Sequence, residues 1–453
     1  MSGLTSAMER FVTGDAGEGG DLSESGKLKR NMRINTIHGV LQIAAINMVQ
    51  PFLSIFALKL GASNTQVALL SSGPAVVSLF AMIPGAIMVD RQDKKKRLTR
   101  TFMFAHRAFF LALACIPLFN PSWRAWTLVT LVALMNFPGS MSNTAWQSFI
   151  SRIIPADKRA VAFADRNKLM NLIGTGVVYL TGLILDRLRF PVGYQIMFVA
   201  AFVMALLELR VFNYIDEDAA PAGSGQRPAA AEGAPVVAAA GQSRLAVVRG
   251  RIQEALAQPR FVRYVLASML FYLAWQVPWP LFSLYQVKVL GANNQWVSIL
   301  NLMNTGGSLV GYGFWVGVMR RHGNLKALFY STIWIFVVPA VYAFSHNLWT
   351  IAVFNMLTGA IFSGVNLALF NALLEATPER NKTSYIAYYN TAITVSAIIA
   401  PMIGVGLLNF MNYMWAFIAC AVLRVLGALC FLFISNLEER EARQQHGLGA
   451  PAD

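Results

Sequence analysis

Amides and hydroxyls recur at helical spacing inside otherwise apolar stretches, where they can meet a solute only if the fold shields them from lipid. Asn136, Ser140, Asn143 and Gln147 follow one another at intervals of four, three and four, which places them on one narrow helix face. Asn355, Thr358, Phe362 and Asn366 do the same farther along. Asn35, His38, Gln42 and Gln50 form a wider stripe, and Gln276, Trp279, Ser283 and Gln286 a fourth. Asn304 and Tyr388 add polar groups to two further stretches. Amides of this kind recognise the donors and acceptors of an organic molecule; gluing helices together by hydrogen bonds is the competing use. The aromatics Trp275, Trp279, Tyr388 and Tyr389 next to them suit a neutral or aromatic solute. Pro278 with Pro280, and the pair Pro138 and Gly139, are expected to break their helices and free carbonyls for a cavity or a solute; passive kinks are the alternative.

Ionisable groups within apolar stretches are costly and mark functional candidates. Arg107, Arg166 and Arg424 qualify. Arg424 lies nearest the middle of its stretch, whereas Arg107 and Arg166 sit about two turns from an end, within snorkelling reach. Asp165, Glu208 and Glu375 also fall near ends, so no carboxylate is expected at mid-depth. His38 either titrates near neutral pH or serves as a structural hydrogen-bonder. No His-rich, Cys-rich or paired-carboxylate constellation suggests catalysis, and a metal site is not expected. Cys115, Cys420 and Cys430 all fall in apolar stretches and read as buried thiols. A nucleotide-binding loop of the Gly-x-x-x-x-Gly-Lys-Ser/Thr kind is missing, so ATP is not the direct energy source. No cofactor is expected, and coupling to a proton stays open.

The elements that carry these residues follow from composition. Of 453 residues only 13% are charged and 56% are hydrophobic, a balance that needs lipid as solvent. Runs such as Phe102 to Phe119 and Tyr413 to Ile434 supply most or all of the roughly 20 residues that cross a bilayer. The pattern predicts spans at 32–58, 65–89, 99–119, 125–152, 160–186, 192–214, 260–288, 295–319, 325–344, 348–376, 382–409 and 412–435. The polar, glycine-rich opening does not read as a cleaved signal peptide. A net charge of +15 raises the question of a nucleic-acid partner, but the basic residues are spread over every second loop, and no nucleic acid is expected. That placement puts both termini in the cytoplasm. Residues 216–242 are rich in Ala, Gly and Pro and read as a linker. After it, Leu245, Val248, Ile252 and Leu256 repeat at helical spacing among arginines, as in a surface-lying amphipathic helix or a protein-binding segment.

Two stretches repeat. Pro51, Ser54, Lys59, Leu60, Gly61, Ala62, Ser63 and Asn64 reappear as Pro280, Ser283, Lys288, Leu290, Gly291, Ala292, Asn293 and Asn294, with one residue of slippage. Asn143, Pro155, Arg159 and Asn167 match Asn366, Pro378, Lys382 and Asn390 at a constant offset. The expected fold is therefore an all-α integral membrane protein of twelve helices in two pseudo-symmetric six-helix bundles. Its parts are a polar tail (1–30), a first bundle (31–214), a linker with a short amphipathic helix (215–259), a second bundle (260–436) and a final tail (437–453).

From about Asn31 to Asn436 the chain resembles the major facilitator superfamily. Ala86, Asp90, Arg91, Asp93, Lys94 and Lys95 look like its Gly-x-x-x-Asp-Arg-x-Gly-Arg-Arg loop, with Ala86 and Asp93 replacing the glycines. The resemblance implies that Asp90, Arg91, Lys94 and Lys95 form a gate that locks the two halves on the cytoplasmic side; a basic turn that only fixes topology is the alternative. The run from Trp146 to Asn167 is similar to a bacterial branch of unassigned substrate. The predicted fourth span lacks an arginine, and the fifth offers Gly174, Gly176 and Gly182 without the Gly-Pro core of the drug-proton antiporters. The resemblance further implies that the first, fourth, seventh and tenth spans line a central cavity; its candidate residues are Gln42, Gln50, Asn136, Asn143, Gln147, Gln276, Trp279, Asn355 and Asn366, with Asn304 and Tyr388 added from other spans. A monomeric secondary transporter of a small organic solute, in a bacterial inner membrane, is the expectation; efflux and a membrane sensor or enzyme are the alternatives.

Overall fold

The computed structural model describes residues 24–90, 95–216, 253–378 and 382–445. Over these residues regular structure is helical throughout. The helices of the first part are α1 (Glu24–Asn47), α2 (Leu53–Lys59), α3 (Asn64–Asp90), α4 (Lys95–Cys115), α5 (Pro121–Ile153), α6 (Ala156–Arg187) and α7 (Val192–Phe212). Then come α8 (Pro259–Gln276), α9 (Trp279–Leu284), α10 (Asn294–His322), α11 (Asn324–Ile333), α12 (Val337–Phe344), α13 (Leu348–Ala376), α14 (Lys382–Phe410) and α15 (Tyr413–Gln445). Among the described residues, nine helical segments are long and apolar enough to cross a membrane. The 216–242 linker lies outside the described residues except for Asp216, as do Leu245, Val248 and Ile252; Leu256 is exposed.

The described residues divide into two compact units, one of 24–62, 76–90, 95–216 and 293–298, the other of 63–75, 253–292, 299–378 and 382–445. In the first, α1 packs on α6 and α7, and α4 packs on α5 and α7. In the second, α8 packs on α14 and α15, and α11 packs on α13 and α15.

Interruptions coincide with prolines, which lack the N–H that continues a helix. Pro51 sits in the tight turn Gln50–Phe52 between α1 and α2. Pro117 sits in Ile116–Leu118, and Pro278 and Pro280 flank the restart of the chain at α9. Not every proline interrupts: Pro74 and Pro84 in α3, Pro138 in α5 and Pro401 in α14 lie within unbroken helices. A break was expected at Pro138 and Gly139, yet α5 runs unbroken through both, because one missing bond in a 33-residue helix leaves the remaining ladder to hold it.

The repeated stretches share their geometry. Gly61 (φ 86°) and Gly291 (φ 66°) both take the left-handed conformation that ends a helix and that a side chain disfavours. The next helix is capped at the matching position each time. Ser63 and Gln66 exchange side-chain and backbone hydrogen bonds at α3, and Asn293 Oδ1 accepts the Trp296 N–H at α10. The slipped residue has a place too: a π-helical turn at Tyr285–Val289 takes up one extra residue before Leu290.

Within the second unit α10 and α13 meet along small residues. A Cβ on Gly307 would overlap the Met356 carbonyl, and one on Gly359 the Asn304 carbonyl. Ser308 Oγ donates to Gly359 O (3.1 Å), and Trp315 Nε1 donates to Ala360 O (2.8 Å).

The last helix runs to Gln445, well past the predicted end at 435, because its polar extension finds partners. Glu438 pairs with Arg260 (2.9 Å), Glu441 with Arg263 (2.7 Å) and Glu439 with Lys326 (2.6 Å). Higher up the same helix, Arg424 is fully buried. It meets no carboxylate among the described ion pairs. Its Nη1 donates to Ile335 O (3.0 Å), its Nη2 to Trp275 O (2.7 Å), and Phe282 lies 5.6 Å away under the guanidinium. Both carbonyls belong to broken helices: Trp275 is in the last turn of α8, and Ile335 stands four residues before Pro339, which has no N–H to offer it. Arg424 thus works as a staple. Arg424→Leu should destabilise the protein by about 1–3 kcal/mol for each carbonyl left bare, read as a lower midpoint of thermal unfolding in detergent; an unchanged midpoint would remove the staple.

Candidate functional site

Three helices of the first unit meet around one acid. Glu208, on α7, is fully buried between α1 and α4. Arg107 of α4, 3% exposed, grips it with two hydrogen bonds, Nε to Oε2 at 3.0 Å and Nη2 to Oε1 at 3.2 Å. His38 of α1 brings Nε2 within 3.4 Å of Oε1, and its ring rests on Phe212 at 5.3 Å. Arg107 Nη1 and His106 Nδ1 are 3.0 Å apart. Two-pronged pairing is the geometry that best offsets the desolvation of two ions.

Beside this cluster lies a cavity of about 410 Å³. Gln42, Ile46 and Gln50 line it from the first segment, Met103, His106 and Arg107 from α4, and Arg166 from α6. From α5 come Asn136, Gly139, Ser140, Ser142, Asn143 and Trp146. Local sequence explains several of these placements. Gly139 leaves room for the His106 ring, which a Cβ would approach to 3.0 Å, and Gly39 leaves room for Arg166. Asn136 Nδ2 donates back to Val132 O (2.8 Å), leaving its carbonyl oxygen for the cavity, and Ser140 Oγ bonds Ser78 Oγ (3.0 Å). Arg166 Nη2 donates to Gln42 Oε1 (3.0 Å) and Nε to Asn35 O (3.3 Å), with the Trp146 ring 4.5 Å from the guanidinium carbon.

Sequence-predicted residues therefore fall into several places. Gln42, Gln50, Asn136, Asn143, Arg107 and Arg166 converge on one cavity. Gln147, on the same predicted stripe, is exposed and does not line it. His38 stands behind the wall, on Glu208. In the second unit, Gln276 is buried, Trp279 and Asn366 are exposed, and Asn304, Asn355 and Tyr388 are intermediate. Trp275 there packs edge-on against Trp279 (6.1 Å) and Phe362 (5.5 Å), and Tyr388 meets Tyr385 (6.3 Å). Of the predicted gate, Asp90 ends α3 and Lys95 begins α4, while Arg91 and Lys94 lie outside the described residues.

Arg107 and Arg166 do not snorkel, a correction to what their distance from a helix end allowed: they are 3% and 5% exposed and are held by side chains and carbonyls inside the protein. Glu208 does stand near a helix end, four residues before Phe212, and is there the fully buried partner of Arg107. The usable signal was arithmetic, since an anion is the strongest partner for a buried arginine and Glu208 is the one acid in the run from Val192 to Phe212. Among the thiols, Cys420 is buried, but Cys115 is exposed.

The model of the Major Facilitator Superfamily matches residues 37–298 and again 264–452. The chain belongs to the major facilitator superfamily. It is a multi-pass membrane protein of a transporter family, not an enzyme. The tetracycline resistance protein, class H, of Pasteurella multocida is 28% identical over 123 residues, a stretch covering 27% of this chain and 30% of that relative's length. A crystal structure of the nucleoside transporter NupG shares the fold with a TM-score of 0.62 and 11% identity, covering 90% of this chain and 98% of that one. A bacterial homologue of the human lysosomal transporter Spinster, inward-facing and unoccupied, aligns with a TM-score of 0.61 and 12% identity, over 94% and 99% of the two chains.

Glu208→Gln leaves Arg107 as an uncompensated buried cation and should cost about 3–5 kcal/mol. Adding Arg107→Gln should recover part of that loss, so thermal unfolding of the two single variants and the double variant should reveal coupling; additive losses would mean that the pair contributes nothing as a pair.

Proposed function

We propose that the protein is a secondary transporter of the bacterial cytoplasmic membrane that moves a small organic solute by alternating access. The observation that carries this reading is the cavity of about 410 Å³, whose wall joins amides, hydroxyls and buried charges. Its size falls in the range of about 300–1,000 Å³ common for small-molecule sites. Polar groups held away from lipid at this density serve a solute better than they serve helix adhesion, because Gln50 and Asn143 make no hydrogen bond to another helix among the described residues. On the family resemblance and their spacing alone, Gln276, Trp279, Asn304, Asn355, Asn366 and Tyr388 are the second unit's candidates for solute contact.

The residues at 31–214 and 260–436 act as two six-helix bundles, and the family model's two matches to the chain support a duplicated origin. The distribution of basic residues places both termini in the cytoplasm. Asp90, Arg91, Lys94 and Lys95 form the cytoplasmic gate, and the protein works as a monomer in its bilayer. The partial likeness to a tetracycline resistance protein favours export as the second reading of direction.

Flux into proteoliposomes, with and without a proton gradient, tests the reading. Asn136→Ala and Gln276→Ala should each lower flux by about threefold to tenfold, the value of one neutral hydrogen bond, while the yield of folded protein stays level. Undiminished flux in both variants would overturn the site. Labelling that places the two termini on opposite sides of the membrane would overturn the topology.

A further inference from the structure

The charges at the cavity wall do not cancel. Arg107 is matched by Glu208 through two hydrogen bonds. Arg166, equally deep at 5% exposure, joins none of the ion pairs among the described residues, and its neighbour in sequence, Asp165, is exposed. What holds Arg166 is neutral: the Asn35 carbonyl, the Gln42 amide and the Trp146 ring. Its Nη1 makes no hydrogen bond among the described residues. The indole N–H of Trp146, another residue of the wall, is buried and also lacks a partner among them. With His38 and His106 counted as neutral, the group of Arg107, Arg166 and Glu208 carries one positive charge in excess.

A guanidinium deep in a membrane protein is either absorbed by neutral acceptors, as Arg424 is by two carbonyls, or offered to an anion. Arg166 differs from Arg424 in facing an open cavity with Nη1 uncommitted among the described residues. We propose that the cavity takes an organic solute bearing a single carboxylate, bound through Arg166. This rests on the transport reading and sharpens it by naming the solute's charge. One unmatched guanidinium suits one negative charge, since a dianion would reverse the imbalance. A cavity of about 410 Å³ is far larger than an inorganic oxyanion, so an organic body fills the remainder against Asn136 and Asn143. The aromatic side chains named from the sequence suit a neutral or aromatic solute; the buried guanidinium favours an anion, aromatic or not.

Matched pairs of acids and amides provide the test. Benzoate with benzamide and hexanoate with hexanamide are titrated against the purified full-length protein, with sodium nitrate as the inorganic arm, and binding is read from thermal stabilisation and tryptophan fluorescence. The acids should bind about tenfold or more tightly than their amides. Arg166→Gln should abolish that preference, and Arg166→Lys should retain part of it. The comparison in the unaltered protein stands even if a variant fails to fold. Equal binding of acids and amides, no binding of any acid, an acid preference that survives in Arg166→Gln, or nitrate binding as strong as that of the acids would each overturn the proposal. The transport reading fails separately. Acids that bind without protein-dependent flux would count against transport, whereas amides carried as fast as acids would count against the anion site alone.

Discussion

A charge placed inside a helical membrane protein has to find its partner in the protein itself, because lipid offers none. Both units meet this demand with one plan. The last helix of each carries the charge and ties together two others: Glu208 of α7 reaches α1 and α4, and Arg424 of α15 reaches α8 and the turn between α11 and α12. The chemistry differs. In the first unit, ion meets ion beside an open cavity. In the second, the ion is absorbed by two backbone carbonyls, and its positive charge is committed to holding broken helices in place.

Breaks and partners are two sides of this constraint. A proline inside a membrane helix frees a carbonyl, which is tolerable only where another group can take it up. Arg424 takes up the Ile335 carbonyl that Pro339 frees, and the Trp275 carbonyl at the break where Pro278 and Pro280 stand. At Gln50–Phe52 the turn lies where the cavity begins, and Gln50 is both exposed and part of the lining. At these points irregular backbone falls beside polar groups, Arg424 in the second unit and the cavity lining in the first.

How much of this could be read beforehand depended on how local the cause was. Apolar runs and the break at Pro278 and Pro280 are written in adjacent residues and were legible, whereas Gly61 and Gly291 were legible as a repeat and not as turns. The amide stripe of α5 was legible as a stripe, but only packing decides that Asn136 and Asn143 reach the cavity while Gln147 does not. The burial of Glu208 was legible only as the lone acid of its apolar run, because distance from a helix end says nothing about what surrounds that end. Arg424 shows the same limit, since its partners are created by two interruptions far apart in sequence. Pro138 misled for the opposite reason: a strong local signal was overridden by the length of the helix around it.

The seam between α10 and α13 carries a consequence for how this sequence can drift. Gly307 faces the Met356 carbonyl and Gly359 faces the Asn304 carbonyl, so the two helices touch backbone to backbone at two neighbouring points. Enlarging either glycine gains nothing while the other still demands contact, and the helices would first have to separate along the whole seam. Single-step substitution at either position is thereby closed off, and the pair should be inherited together or lost together.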